Sequence, residues 1–317
     1  MFVILFYPEG DFLMIKLLIF SQYYSPDFAS TGQLVTDLAE GLSKKIDVTV
    51  IASMPNYSSQ GSLRAAKEEV LNGVHVFRFP TRKVNKKSKI SRIFSLLTYY
   101  LGAKKIAKSI HSNFDAVFCL SQPQILGGKL GCWAKKRFHS KMIYNIQDFC
   151  PESIRAIGMS HNELLLDLLL RMDNKSCKKS DLVVTVGRDL VETLLNRFPN
   201  RKPPAHVLIN NWIDESVVYP LDLTDRQLLS FKERNGLNDR FVFMYSGNIG
   251  LFYDLPNLLE ALSQFPRGLV ASTNKKVLFV FAGEGGTLLK LKQITLEKRM
   301  DNVAFLPYQT KDQLIFA

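Results

Sequence analysis

The residues of this chain best suited to chemistry are a carboxylate just after one apolar run and glycines just after others. Asp148 stands in Gln147-Asp148-Phe149-Cys150-Pro151-Glu152-Ser153, directly after Lys141 to Ile146. At the carboxyl end of a central strand, such a group can hydrogen-bond a sugar hydroxyl or accept its proton. Position alone equally allows Asp148 or Ser153 to cap the helix that follows. The first loop, Gln22 to Gly32, ends in Ser30-Thr31-Gly32. There Ser30 or Thr31 can cap a helix, and Gly32 lets a ligand reach free backbone N–H groups, or simply serves helix-start geometry. This loop is not a G-x-G-x-x-G, which argues against an ordinary nicotinamide dehydrogenase.

Two further turns, Tyr245-Ser246-Gly247-Asn248-Ile249-Gly250 and Ala282-Gly283-Glu284-Gly285-Gly286, follow successive apolar runs. Backbone amides in such turns can hold a diphosphate, although each glycine alone also suits a tight turn. Taken with the first loop, they lead to the expectation of a nucleotide site between two domains. The five histidines show no metal spacing, and Cys119, Cys132, Cys150 and Cys177 form no C-x-x-C, so no metal site and a reducing cytoplasm are expected.

The elements that must position these groups are legible as short apolar runs: Lys16 to Ser21, Val48 to Ala52, Val74 to Phe79, Ala116 to Leu120, Lys141 to Ile146, Leu182 to Val186 and Val207 to Ile209. Several are continuous rather than alternating, as in strands covered on both faces. Helical patterns lie between them; in Gly32 to Ser43, Leu34, Val35, Leu38, Ala39 and Leu42 share one face. Strand, helix, strand in repeated order predicts an α/β fold with a parallel doubly wound sheet. A second series runs through Phe241 to Ser246, Asn257 to Leu262, Val277 to Ala282, Leu288 to Lys298 and Val303 to Leu306.

This predicts residues 14–210 as one Rossmann-like domain, 211–238 as a linker with a polar helix, and 239–317 as a second, incomplete domain. Residues 1–13 read as an upstream extension before a natural start at Met14. They carry no basic n-region and do not resemble a signal peptide.

The 317 residues carry 41 basic and 29 acidic groups, a net +12, which favours an anionic partner. Nine of the basic residues, and no acid, fall in Thr81 to Ile110, around Ile93, Phe94, Leu96, Leu97, Tyr99, Tyr100 and Leu101. A basic amphipathic helix with aromatics suits an anionic membrane surface; a solvated face on a helix packed into the domain is the alternative. No module accompanies the charge that would read nucleic acid. No apolar run reaches the roughly 18 to 20 residues a spanning helix needs.

In order, these motifs resemble family 4 of the GT-B glycosyltransferases. The match rests on Ser30-Thr31-Gly32, Val48 to Ala52, Val186-Gly187-Arg188-Asp189-Leu190, Ile209-Asn210-Asn211-Trp212-Ile213-Asp214 and the two glycine turns. Gln147 to Ser153 with Ile157-Gly158 is similar to the subgroup that builds O-antigen and capsule repeats, including N-acetylfucosamine-type transferases. The resemblance implies a cytoplasmic, metal-independent enzyme without a cofactor, peripheral on the inner face of the plasma membrane. It would move a sugar, with retention, from a nucleotide sugar to a polyprenyl-diphosphate-linked acceptor. It places Gly32, Gly247 and Asn248 at the donor diphosphate, Glu284 and Gly285 near the nucleoside, and Asp148 beside the reacting sugar. Arg92, Phe94, Tyr99, Lys104 and Lys105 fall where members touch membrane and acceptor.

The sequence departs from the family in two ways. The Arg and Lys that many members place at the donor diphosphate are replaced by Asn248 and the stretch Leu251-Phe252-Tyr253-Asp254, and the family's pair of glutamates separated by seven residues would fall beyond Ala317. The sequence therefore carries the expectation of a truncated donor domain. A non-catalytic fragment and a nucleotide-sugar epimerase of the same architecture are the competing readings.

Overall fold

In a computed structural model of the chain, residues 14–27, 29–55, 65–81, 89–250, 253–265, 269–270, 275–309 and 311–316 are described, without the side chains of 89–93, 269–270 and 311–312. Residues 1–13, for which an upstream extension is expected, lie outside that set. The chain divides into two compact units, 1–212 and 213–317.

In the first unit the strands are β1 (Lys16–Phe20), β2 (Asp47–Ser53), β3 (Glu68–Leu71), β4 (Val74–Phe79), β5 (Ala116–Leu120), β6 (Lys141–Ile146), β7 (Leu182–Thr185) and β8 (His206–Leu208). The helices are α1 (Ser30–Ser43), α2 (Lys89–Ser109), α3 (Leu126–Phe138), α4 (Glu152–Ala156), α5 (Glu163–Lys179) and α6 (Arg188–Asn196). The sheet order is β3-β4-β2-β1-β5-β6-β7-β8, and every pairing is parallel except the hairpin β3-β4.

The period of two along β1 divides the core. Leu18 and Phe20 join Val117, Cys119, Leu130, Met142 and Tyr144 on one face, while Leu17 and Ile19 join Val35, Ala39, Val48 and Val50 on the other. Burial on both faces explains why the strands read as continuous apolar runs. The order reverses at β1 and β5, the switch point beside which open α/β sheets bind ligands at their carboxyl edge. The edge strand β3, Glu-Glu-Val-Leu, is absent from the sequence reading. It joins β4 through Asn72-Gly73, both at positive φ (49° and 83°), as a tight hairpin turn requires.

In the second unit β9 (Arg240–Ser246), β11 (Lys275–Ala282) and β12 (Val303–Leu306) are parallel with β11 central, and the two-residue β10 (Leu269–Val270) pairs antiparallel with β11. Helices α8 (Leu255–Ser263) and α9 (Leu288–Glu297) cover the face of Val277, Phe279 and Phe281. The other face, Leu278 and Val280, packs on Phe231 of α7 (Arg226–Arg234), Leu237 and Phe316 of a closing 3-10 turn (Lys311–Phe316). The expected linker therefore ends at Trp212: from Ile213 onward it belongs to the second unit, and α7 is part of that unit's core. Phe231, 5% exposed, supplies the anchor that a polar composition conceals.

Candidate functional site

At the carboxyl edge of the first sheet, the loop after β6 is held from several sides. Ser121 Oγ, just beyond β5, accepts from the backbone N–H of Gln147 (3.1 Å) and Asp148 (3.4 Å). The Gln147 side chain donates to Asn145 Oδ1 (2.6 Å) and accepts from Asn211 Nδ2 (3.0 Å), and Gln124 donates to Ser153 Oγ (2.8 Å). Asn211 is thereby tied to the loop of Asp148, a link that sequence spacing does not disclose. Helix α4 begins with Pro151 at its cap position and no side-chain cap, so neither Asp148 nor Ser153 serves there.

Asp148 is exposed, yet the surrounding protein desolvates its carboxyl enough to raise its pKa, and the carboxylate of Asp189 at the start of α6 adds to the shift. Two carboxylates thus share the ends of β6 and β7, and the affinity of Asp148 for a proton is raised. That combination suits a group that hydrogen-bonds a hydroxyl or takes its proton.

Arg197, which no sequence motif singled out, fixes the rest of this loop. Its side chain is 3% exposed and forms ion pairs with Asp173 (2.6 Å) and Glu152. It also donates to the carbonyl of Cys150 (3.0 Å) and lies 4.0 Å from the centre of the Phe149 ring. Tyr144 donates to the same Asp173 (2.8 Å). Burial pushes the Asp173 carboxyl up, against the pull of Arg197. Burial likewise pulls Arg197 down, but its two carboxylates outweigh that and leave it raised. The partners lie 24 and 45 residues away in sequence, so neither periodicity nor local composition signals them.

Gly32 lies in the first turn of α1, buried, where an added Cβ would meet Tyr23 Cβ at 3.0 Å and the Tyr23 carbonyl carbon at 3.2 Å. A side chain there would therefore press on Tyr23, which would have to give by a few tenths of an ångström. The expected cap by Ser30 or Thr31 is not made: both lie within the helix, Ala29 holds the cap position, and Thr31 instead donates to Gln122 Oε1 (3.3 Å). That bond joins the first turn of α1 to the loop after β5 at the switch point.

In the second unit the structure brings Gly247, Asn248, Glu284 and Gly285 together. Gly247 N–H donates to the carbonyl of Ala282 (2.9 Å), Ile249 N–H to that of Glu284 (2.9 Å), and Thr287 N–H to that of Ile249 (3.0 Å). The two turns interlock so closely that a Cβ on Gly283 would stand 1.9 Å from the Gly247 carbonyl oxygen, and one on Gly285 2.2 Å from that of Ile249. Gly247 and Gly283 have φ of 156° and 145°. The backbone surface they form ends at the amino terminus of α9, where free N–H groups favour an anion.

The expected membrane face is rearranged. Tyr99 is 1% exposed and belongs to the core, because Ser95, Tyr99, Ala103 and Ala107 form the inner stripe of α2. Lys104 is half-buried, with its ammonium 5.0 Å from the Trp133 ring centre and 5.2 Å from that of Tyr100. The outer stripe is Phe94 (49% exposed), Leu97 (42%) and Leu101 (62%), continued by exposed Lys105 and Lys108. Arg92 lies within α2, but its side chain is outside the described residues. Among the described residues no helix is long and apolar enough to cross a membrane, and no three metal-ligating side chains cluster.

No protein-family model matches the chain. It is 21% identical over 320 residues to the WcaI protein of Escherichia coli (strain K12), described as a colanic acid biosynthesis glycosyl transferase; the match covers 94% of this chain and 73% of that one. It is 20% identical over 288 residues to an uncharacterised glycosyltransferase of Methanocaldococcus jannaschii, with 88% of this chain covered but 66% of the relative, just under two thirds of its length. Among solved structures it is similar to sucrose-phosphate synthase of Thermosynechococcus elongatus (TM-score 0.67, 13% identity, 95% of this chain and 72% of that one). It is also similar to HepE of Anabaena in complex with UDP-glucose (TM-score 0.62, 14% identity, 95% and 71%). A third similar structure is WaaG, a glycosyltransferase involved in lipopolysaccharide biosynthesis (TM-score 0.61, 12% identity, 94% and 72%). These likenesses agree with the two-sheet α/β topology: the chain has the fold of the GT-B glycosyltransferases.

Proposed function

We propose that this chain is a glycosyltransferase of surface-polysaccharide synthesis, taking a sugar from a nucleotide sugar to a lipid-diphosphate-linked acceptor with retention. The observation that carries the reading is the pair of interlocked turns at Gly247 and Gly283 in one unit of a fold whose other unit presents the pinned carboxylate Asp148. In the transfer a C1–O bond forms to the acceptor hydroxyl as the bond from C1 to the diphosphate oxygen breaks. The departing diphosphate takes that electron pair, and the hydroxyl gives up its proton. The residues fit these demands: Gly247, Asn248 and the start of α9 for the diphosphate, Glu284 and Gly285 for the nucleoside, and Asp148 for the hydroxyl or its proton.

Two relatives support the substrate classes, one bearing UDP-glucose in its structure and one described by colanic acid synthesis. We further propose that Phe94, Leu97 and Leu101, with Lys105 and Lys108, rest on the inner face of the plasma membrane, where a lipid-linked acceptor would be presented.

The test is incubation of the protein and of Asp148→Asn with bacterial membranes and a panel of labelled UDP-, GDP- and dTDP-sugars. Transfer of label to lipid by the parent, with a loss of about 100-fold or more in the variant at unchanged melting temperature, is expected. No transfer from any donor, or full activity in Asp148→Asn, would overturn the assignment.

A further inference from the structure

Between α5 and the turn after α6 lies an open groove of about 700 Å³. Arg171, Lys175 and Lys178 line it from α5, at spacings of four and three residues that place them on one face. Arg201 lines it from the segment beyond α6. All four are exposed, and among the described residues none is ion-paired.

The neighbouring carboxylates are engaged elsewhere: Asp173 and Glu152 by Arg197, and Asp181 by Lys135 and Lys141. Asp167, one turn before Arg171 on α5, makes no ion pair to it. Cations in the last turn of a helix complement its dipole, which accounts for Lys178. The effect fades within that turn, so it does not account for Arg171 two turns earlier, and Arg201 belongs to another segment.

The groove also has a floor and neutral donors. Phe198 is 5% exposed beneath the Lys178 ammonium, 5.2 Å from its ring centre. Asn174 gives its Oδ1 to Arg197 (3.4 Å), which leaves its NH₂ group for another acceptor. The groove borders the Asp148 loop at Arg197, which lines it and donates to the carbonyl of Cys150, and extends away from it: the carbonyl of Lys179, at its far end, accepts from Lys135, and Asp181 accepts from the backbone N–H of Met142, at the start of β6. Asp148 follows the opposite end of that strand.

We propose that this groove binds a multiply charged anion of the phosphate class, held by Arg171, Lys175, Lys178 and Arg201. A single phosphate would fill a small part of it. A chain of phosphates, or the phosphate headgroups of a lipid surface, would meet all four cations together, with guanidinium forks at both walls.

The experiment titrates the 317-residue chain with sodium tripolyphosphate by calorimetry and floats it with vesicles of phosphatidylcholine with and without phosphatidylglycerol. The test variant is Arg171→Glu/Lys175→Glu/Arg201→Glu. A control, Lys44→Glu/Lys45→Glu/Lys276→Glu, makes the same change in net charge at exposed lysines elsewhere. Groove reversal is expected to weaken binding by about tenfold or more while the control changes it by less than about threefold, with Arg171→Gln/Lys175→Gln/Arg201→Gln intermediate and all variants melting as the parent.

Groove-dependent binding of tripolyphosphate alone identifies a free anion as the ligand. Groove-dependent binding of phosphatidylglycerol vesicles alone identifies a lipid headgroup. No binding of either by the parent, or equal loss in the groove and control variants, would overturn the proposal.

Discussion

Replacing Arg197 by methionine is the most demanding perturbation of the candidate site, because one buried guanidinium holds residues 149, 150 and 152. Methionine keeps an unbranched apolar chain and removes the guanidinium that lies over Phe149. The cost is set mainly by Asp173, which is 4% exposed and would lose its counter-ion. Breaking such a pair by deleting one member costs about 3 to 5 kcal/mol. Glu152, 37% exposed, can turn to water, so its share is small.

Asp173 also has a partial escape, since it can take up a proton. Its pKa is already raised by burial and would rise further without Arg197. A carboxyl raised above its unfolded value of about 3.9 contributes stability that is fully present below that value and drains away as pH climbs through the native one. The variant is therefore expected to lose about 3 kcal/mol at pH 7 and visibly less at pH 5. At an m-value of about 2 to 3 kcal/mol/M, the neutral-pH loss lowers the urea midpoint of the first unit by about 1 to 1.5 M. Trp133 on α3, packed against the core of that unit, supplies the fluorescence signal. A second replacement, Asp173→Asn, should return most of the loss by removing the stranded charge. A neutral-pH loss under about 1 kcal/mol, or one that does not shrink on acidification, would refute the argument.

Four further outcomes follow from the same structure. Gly283→Ala places a Cβ 1.9 Å from a backbone oxygen of the partner turn, so it should abolish nucleotide binding measured by calorimetry and lower the melting temperature of the second unit. Gly131→Ala drives a methyl to 2.3 Å from Cys119 Sγ and 2.7 Å from Met142 Cε in a closed core, costing about 1 to 3 kcal/mol of first-unit stability. Gly41→Ala, with nothing within 4 Å on the same unit, should add about 0.4 to 1 kcal/mol. Leu97→Ser/Leu101→Ser should reduce flotation with phosphatidylglycerol vesicles several-fold without moving the melting temperature, because both side chains already face out.

The strands were legible where burial on two faces left uninterrupted apolar runs. β4, β5 and β6 begin and end at the predicted residues, and β9 and β12 lie within a residue of prediction. β3 was hidden because an edge strand needs no apolar face, although Asn72-Gly73 was the available signal. β10 is two residues long and exists only through its pairing with β11. Tyr99 shows the limit of composition: a basic stretch rich in aromatics marked the helix, but only the phase of its inner stripe shows that this ring points into the core. Arg197 was out of reach, since its meaning lies in residues brought to it by folding.

Glycine was the most conspicuous sequence signal, and its weight changes once contacts are known. Gly127, Gly128 and Gly131 on α3 would each place a Cβ within 2.8 Å of a neighbouring atom, the Leu120 carbonyl oxygen, Ser176 Cβ and Cys119 Sγ respectively, so tight helix packing alone accounts for them. Gly283 and Gly285 are demanded in the same way by the turn opposite, whatever else they do. Gly247 differs in its surroundings: an added Cβ would meet nothing closer than Tyr245 Oη at 3.7 Å, so the demand for glycine comes from its φ of 156°, which residues with a side chain rarely adopt. Backbone conformation rather than packing therefore calls for glycine at position 247, and the open space beside it leaves room for a ligand to approach. Gly247→Ala should thus cost about 1 to 3 kcal/mol of second-unit stability through backbone strain alone, less than Gly285→Ala, whose Cβ would stand 2.2 Å from the Ile249 carbonyl oxygen, and a larger loss of melting temperature in Gly247→Ala than in Gly285→Ala would refute that order.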